Sequence, residues 1–199
     1  MSPPSLRSGA TRPALVLTAS DRGAAGQRDD SSGEQVAARL AALGFAVDRV
    51  VVPDDQSTIE TALVEGATGH LLVLTTGGTG LTPRDVTPQA TRAVIDYEVP
   101  GLAEAMRAAG RTHTPMADLS RGIVGVRDRA LIVNLPGSPR GAMESLEAIV
   151  PVLDHALETL AGPFDHSGTA PIDDGPPQHE FGRQETGAET ALVEPEDAD

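Results

Sequence analysis

The chain has 199 residues, a formal net charge of −14, 39% hydrophobic residues and neither cysteine nor lysine. The lack of cysteine excludes disulfide bonds, thiol catalysis and cysteine-ligated zinc, and the lack of lysine excludes a Walker A motif and a Schiff-base lysine. The negative charge argues against a nucleic-acid-binding protein, and no apolar run approaches the roughly twenty residues of a membrane-spanning helix. We therefore expect a soluble, cytoplasmic protein.

Composition divides the chain into three parts. Residues 1–13 form a Ser-, Pro- and Arg-containing leader without the apolar segment of a signal peptide. Residues 14–163 contain the alternating apolar segments of one folded domain. Residues 164–199 carry ten acidic residues and one arginine. This last composition predicts an acidic, disordered tail.

Short apolar segments typical of buried strands alternate along the domain with segments of helical periodicity. The predicted strands are residues 14–18, 45–52, 71–74, 123–126 and 130–135. The predicted helices are residues 31–43, 57–66, 88–96 and 101–109, followed by a region from 139 to 162 that Pro151 should divide in two. The alternation predicts an α/β fold, a three-layer αβα sandwich with a mostly parallel sheet.

Several helix starts have local sequence signals. Ser31 and Ser57 each stand three residues before a glutamate, which is the spacing of a capping box. Thr87 and Ser138 each precede a proline, and this order predicts an N-cap hydroxyl followed by proline at the first helical position.

A glycine-rich turn follows the strand at 71–74. It consists of Thr75, Thr76, Gly77, Gly78, Thr79 and Gly80. Glycines let backbone N–H groups converge on an anion, and threonine hydroxyls add donors, so the turn indicates a phosphate or carboxylate site. The same residues could instead form only a tight connection between a strand and a helix.

Other polar residues come directly after predicted strands, including Ser20, Asp21 and Asp54. In a parallel sheet these positions share the carboxyl edge, where ligands of open α/β folds bind. Asp85 follows the glycine turn by five residues. Two carboxylates beside a bound phosphate would repel it unless a cation lies among them, which indicates Mg²⁺. Alternatively, Asp85 could stabilise a helix dipole and Asp54 could be a turn residue after proline.

Taken in order, the motifs resemble the MogA/MoaB family of molybdenum cofactor biosynthesis, which is related to the G domain of gephyrin. The matching segments are TASDRGAAGQRDDSSG at 18–33, VPDD at 52–55, TTGGTG at 75–80, RDVTPQAT at 84–91, VPG at 99–101, LSR at 119–121, ALIVNLPGSP at 130–139 and ESLE at 144–147. The resemblance covers residues 14–163 and implies the molybdopterin-binding fold.

The resemblance implies molybdopterin adenylyltransferase activity. Mg²⁺ and ATP would activate molybdopterin as adenylyl-molybdopterin with release of pyrophosphate, before a separate insertase adds molybdate. The family's catalytic, metal-binding aspartates fall on Asp54 and Asp85. The resemblance also implies a homotrimer, and substrate contacts from Ser20, Asp21, Thr75, Thr76, Gly77, Gly78, Thr79, Gly80, Ser120, Asn134, Pro136, Gly137 and Ser138.

Two other functions remain open at this point. A catalytically silent paralogue would bind molybdopterin without adenylylating it, although the presence of both aspartates favours the active enzyme. A noncatalytic trimeric assembly module would instead present its acidic tail to a partner. The insertase reaction is less well supported, because proteins that perform it usually carry this fold within a much longer chain.

Overall fold

The computed structural model describes residues 12–162. The strands are β1 (Pro13–Ala19), β2 (Ala46–Val52), β3 (Leu72–Thr76), β4 (Tyr97–Glu98), β5 (Val124–Arg127) and β6 (Ala130–Leu135). The helices are α1 (Asp21–Ala24), α2 (Ser31–Ala42), α3 (Gln56–Gly69), α4 (Thr87–Val94), α5 (Pro100–Arg111) and α6 (Pro139–Ala161), with a 3₁₀ helix at Pro115–Leu119. The predicted tail, and all of the predicted leader except Arg12 and Pro13, lie outside the described residues.

The six strands form one sheet in the order β2-β1-β3-β6-β5-β4. The first four of these are parallel to one another. Strand β5 pairs antiparallel with both β6 and β4, so the predicted strand at 123–126 forms a hairpin with the next one. The prediction of a mostly parallel sheet is confirmed.

Alternate residues of the strands face opposite sides of the sheet, and each side has its own apolar core. Val16 and its same-face neighbours pack with residues of α2, α5 and α6. Leu17, on the opposite face, packs with residues of α3 and α4. Strands buried on both faces need apolar residues at every position, which explains the continuous runs in the sequence. The result is the expected three-layer αβα sandwich.

Aspartates, rather than serines, cap two of the helices. Asp30 precedes α2 and accepts a hydrogen bond from Gly33 N at 2.9 Å. Asp55 precedes α3 and accepts from Thr58 N at 2.9 Å. The predicted capping boxes at Ser31 and Ser57 are therefore wrong. The carboxylates of Asp30 and Asp55 accept hydrogen bonds from the first-turn N–H groups instead, and their negative charge also interacts favourably with the helix dipole.

The two predicted proline-linked helix starts have different outcomes. Ser138 is the N-cap of α6, where its hydroxyl accepts from Gly141 N at 3.2 Å, as predicted. Thr87 is already the first residue of α4, and Val86 is the N-cap without a side-chain hydrogen bond. Thr87 is therefore not an N-cap, contrary to the prediction.

Helix α6 is continuous through Pro151, so the predicted division into two helices is wrong. Buried leucine and isoleucine side chains on both sides of the proline hold the helix against the sheet, and this burial offsets the missing backbone hydrogen bond. Within residues 12–162, no helix is both long and apolar enough to cross a membrane.

Candidate functional site

Two cavities share a wall at the carboxyl ends of the parallel strands. The first, which we call the acidic pocket, has a volume of about 460 Å³. The second, the apolar pocket, has a volume of about 270 Å³. The glycine turn contributes residues 76–78 to the acidic pocket and 79–80 to the apolar pocket, and Ser138 lines both. The turn predicted from the sequence is therefore the boundary between the cavities.

Negative charge dominates the lining of the acidic pocket. Its ionisable lining residues are Asp29, Asp30, Asp54 and Asp85, together with Arg28 and Arg84. Four carboxylates and two guanidinium groups in one concave space create a potential that attracts cations. A free polyanion would bind here poorly unless a cation accompanied it.

Asp54, which follows β2, is held by Asp21, which follows β1. Asp54 Oδ2 accepts from Asp21 N at 2.9 Å, and Asp21 Oδ1 accepts from Asp54 N at 3.0 Å. Arg84 donates to Asp21 Oδ2. The Arg84 hydrogen bond and the Asp54 N–H together lower the pKa of Asp21 below its ordinary value. Among the described residues, no hydrogen bond reaches Asp54 Oδ1, which leaves that oxygen available to a ligand.

Asp85 is fixed by the turn that precedes it. Asp85 Oδ2 accepts from Thr82 N at 2.8 Å and from Thr82 Oγ1 at 2.6 Å. Burial alone would raise the pKa of Asp85, but the hydrogen bonds from Thr82, assisted by Gly80 N–H and the charge of Arg121, lower it overall. The carboxylate is therefore ionised at neutral pH. A Cβ on Gly80 would lie 3.0 Å from Asp85 Oδ2, so glycine permits this close approach.

Arg121 fastens the glycine turn to Asp85. Its Nε donates to Gly80 O at 2.6 Å, and its Nη2 donates to Asp85 O. Arg121 N also donates to Thr79 O at 3.0 Å. Its guanidinium group thus orders both the turn and the aspartate through their backbone carbonyl groups.

Two glycines of the turn have backbone conformations with positive φ. Gly77 has φ of 91° and Gly78 has φ of 61°. A Cβ on Gly77 would lie 2.5 Å from Ala19 O, and one on Gly78 would lie 2.3 Å from Thr87 Oγ1. Both the torsion angles and the close packing therefore require glycine.

Asn134 and Thr75 serve mainly to join secondary-structure elements. Both are buried, and Asn134 Nδ2 donates to Thr75 Oγ1 at 3.1 Å and to Thr91 Oγ1 at 2.8 Å. Asn134 Oδ1 accepts from Ile123 N at 3.3 Å. These bonds connect β6 to β3, α4 and the start of β5, while Asn134 also lines the apolar pocket.

Asp30 belongs to a chain of hydrogen bonds beneath the acidic pocket that sequence reasoning missed. Thr76 Oγ1 donates to Thr18 Oγ1 at 3.0 Å, and Thr18 Oγ1 donates to Asp30 Oδ2 at 2.9 Å. Burial would raise the pKa of Asp30, but hydrogen bonds from Gly33 N, Arg49 and Thr18 lower it overall. The position of Asp30 directly before a helix, three residues before Gly33, was the available sequence signal.

The structure brings most of the other predicted residues to the same edge. Ser20 and Gly137 line the acidic pocket, and Ser120 and Pro136 line the apolar pocket. Asp21 and Thr75 line neither cavity. They reach the site through Asp54 and Asn134, respectively.

Two carboxylates of the acidic pocket, those of Asp54 and Asp85, are candidate ligands for a magnesium ion. No group of three or more His, Asp or Glu residues within 12–162 is arranged to hold a metal alone. However, Mg²⁺ in phosphate-transfer sites commonly uses one or two carboxylates, with water and substrate oxygens as its other ligands. Asp54 and Asp85 line the same cavity, and their carboxylates are of the type and number that such a site uses.

Fold and site together define an α/β domain with two adjoining cavities at the carboxyl edge of its sheet, and comparison with known proteins identifies its family. A family model described as "Probable molybdopterin binding domain" matches residues 15–155. The chain belongs to this family.

Individual relatives agree with the family assignment. The molybdopterin adenylyltransferase of Helicobacter pylori strain J99 is 37% identical over 156 residues, which cover 75% of this chain and 88% of the relative. The crystal structure of the molybdopterin biosynthesis enzyme MoaB from Thermus thermophilus matches with a TM-score of 0.69 and 49% identity, covering 78% of this chain and 100% of that one. The molybdopterin biosynthesis Mog protein from Mycobacterium ulcerans matches with a TM-score of 0.72 and 40% identity, covering 77% and 99%.

Proposed function

We propose that this protein is a molybdopterin adenylyltransferase of molybdenum cofactor biosynthesis. It transfers the adenylyl group of ATP to the terminal phosphate of molybdopterin, giving adenylyl-molybdopterin and pyrophosphate. The relatives named molybdopterin adenylyltransferase in Helicobacter pylori and Haemophilus influenzae, at 37% and 42% identity, support this activity.

The observation that carries the proposal is the shared wall between the two cavities. The reaction joins two substrates, each with a heterocyclic ring system and a phosphate group. The glycine turn and Ser138 border both an apolar cavity, suited to a ring, and an acidic cavity, suited to phosphates with a cation. A phosphate held at this boundary would have the two reacting groups on either side, and such positioning supplies most of the catalysis in phosphoryl transfer.

The residues of the acidic pocket have separate roles in this scheme. Asp54 and Asp85 would hold Mg²⁺, which would neutralise charge on the phosphates and on the departing pyrophosphate. The backbone N–H groups of the glycine turn, and the N-terminus of α6, would donate hydrogen bonds to phosphate oxygens. The attacking phosphate is already ionised at neutral pH, so the reaction needs no general base.

Two further parts of the proposal, a homotrimeric assembly and delivery of the product to a molybdenum insertase, derive from the family resemblance. A cytoplasmic location rests on the composition of the sequence. The silent paralogue is the second candidate, and it differs from the enzyme by one measurable property. It would bind molybdopterin but release no pyrophosphate.

Product formation by the purified chain with molybdopterin, ATP and Mg²⁺ tests the proposal. Adenylyl-molybdopterin and pyrophosphate should form with the wild type and should fall at least about a hundredfold with Asp85→Asn, because the lost charge weakens cation and transition-state binding. Asp48→Asn is the matched control, since the Asp48 side chain is 80% exposed on β2 and lines neither pocket. Molybdopterin binding without any pyrophosphate release would replace the enzyme with the silent paralogue.

A further inference from the structure

Glu144 places a carboxylate in the lining of the apolar pocket. It lies on α6 and its side chain is only 19% exposed. Glu144 Oε1 accepts from Arg140 Nε at 2.6 Å and lies 3.7 Å from His113 Nε2. Among residues 12–162, no hydrogen bond reaches Glu144 Oε2. One oxygen of this partly buried carboxylate therefore lacks a protein donor and is open to solvent or to a ligand.

The surroundings of Glu144 favour a ligand that donates hydrogen bonds. Much of the pocket lining is apolar and includes Ala103, Met106 and Leu119. The other charged lining residue is Arg107, which donates to Gly122 O at 3.1 Å and forms no ion pair with Glu144. A carboxylate held in such a cavity gains most from a ligand that offers N–H donors.

The chemistry of a carboxylate limits which ring it can recognise. An ionised carboxylate only accepts hydrogen bonds, so its best planar partner has two adjacent donors. The 2-amino-4-oxo edge of a pterin offers an exocyclic N–H and a ring N–H side by side. Adenine places its amino donor next to ring-nitrogen acceptors, an arrangement that suits the mixed donor and acceptor of an amide instead.

We propose that Glu144 is a specificity-determining residue that accepts hydrogen bonds from the 2-amino-4-oxo edge of the pterin. This inference rests on the proposed function and deepens it, because it assigns a named side chain to the choice between the two heterocycles. The carboxylate favours the pterin, which offers it two N–H donors. It disfavours the adenine of ATP at the same position, because the ring nitrogen beside the adenine amino group would direct a lone pair at the carboxylate.

Two small pteridines test the proposal directly. Pterin carries the 2-amino group, whereas lumazine carries a carbonyl oxygen in its place and so presents an acceptor to the carboxylate. Isothermal titration of the wild type should show at least about tenfold tighter binding of pterin than of lumazine, since a site built for an N–H donor rejects a ligand that lacks it. Glu144→Gln should reduce this ratio to near one.

Two control variants separate recognition from folding and from the ion pair. Arg140→Gln removes the partner of Glu144 but keeps the carboxylate, so the pterin-to-lumazine ratio should persist. Glu104→Gln changes an exposed glutamate on the neighbouring helix α5 that does not line the pocket, and the ratio should again persist. Thermal unfolding of each variant verifies that it is folded.

The outcomes distinguish this inference from the proposed function. Equal binding of the two pteridines by the wild type, no binding of either, or a ratio retained by Glu144→Gln would overturn the role of Glu144, even if adenylyl-molybdopterin is formed. A pterin preference that depends on Glu144, without formation of adenylyl-molybdopterin, would support the recognition and overturn the adenylyltransferase.

Discussion

Asp21 and Asp54 each accept a hydrogen bond from the other's backbone N–H, at 3.0 and 2.9 Å. The pair joins the turns that follow β1 and β2, which are 33 residues apart in the sequence. Because Arg84 also donates to Asp21, the three residues form one unit at the rim of the acidic pocket. Asp21 therefore controls where the Asp54 carboxylate lies without itself lining the cavity.

Asp21→Ala should lower adenylyl transfer about tenfold or more, because it frees the Asp54 turn and leaves Arg84 without its partner. The melting temperature should change little, since the contacts of Asp21 are exposed. Glu98→Ala is the control, because it breaks the exposed Arg92–Glu98 ion pair, which lies outside the linings of the acidic and apolar pockets. Unchanged activity in Asp21→Ala would contradict a positioning role.

Gly77→Ala should be more destabilising than Gly44→Ala. The two glycines have nearly the same φ, 91° and 88°. A Cβ on Gly44 meets no atom within 4 Å, whereas one on Gly77 would lie 2.5 Å from Ala19 O. We expect Gly44→Ala to lower the free energy of unfolding by about 1–2 kcal/mol through torsional strain. Gly77→Ala should lower it by at least about 2 kcal/mol more, because of the clash with Ala19 O. Urea unfolding measures both values, and equal losses would show that the turn relaxes without cost.

Asn134→Asp should reduce the free energy of unfolding by about 3 kcal/mol, because it removes both donors to Thr75 and Thr91 and buries an acid. Thr91→Val, which removes one acceptor, should cost less, about 1 kcal/mol. Urea unfolding tests this prediction. If Asn134→Asp were as stable as the wild type and failed only to bind substrate, Asn134 would be a ligand-binding residue rather than the structural link described here.

Stability at low pH should depend on Asp55. Hydrogen bonds from Thr58 Oγ1, Ser57 Oγ and Thr58 N lower the pKa of Asp55 from 3.8 to about 2. A lowered folded-state pKa means that the stabilisation is complete above the unfolded value and is lost as pH falls toward about 2. The wild type should therefore melt higher than Asp55→Asn above pH 3.8, and the difference should shrink as pH falls and vanish only below about pH 2. A difference independent of pH would contradict the shift.

Much of the fold could be predicted from local patterns. The runs at β1 and β6, and the first three residues of β3, are apolar at nearly every position because both faces of these strands are covered. Helix starts were less predictable, since Asp30 and Ser31 are both competent caps and only the packed structure decides between them. The continuity of α6 through Pro151 also depends on burial against the sheet, which a local rule does not include.

The site was predicted as a set of positions, but not as a set of contacts. The carboxyl-edge rule placed Asp54, Asp85 and the glycine turn near one another, and all of them line the two cavities except Thr75. It could not distinguish residues that face the cavities, such as Gly78, from Thr75, whose hydroxyl is used by Asn134. Asp30 was missed because its hydrogen bonds to Thr18 and Arg49 join residues 12 and 19 positions apart in the sequence.

The Mg²⁺ dependence of adenylyl-molybdopterin formation tests the central claim most directly. In the wild type, product formation should require Mg²⁺. In Asp54→Asn and in Asp85→Asn, the half-saturating Mg²⁺ concentration should rise at least about tenfold. Each variant removes one carboxylate charge from the acidic pocket and so weakens binding of the cation. Identical Mg²⁺ dependence in all three proteins would contradict this proposal, because it would show that these two aspartates do not bind the Mg²⁺ used in the reaction.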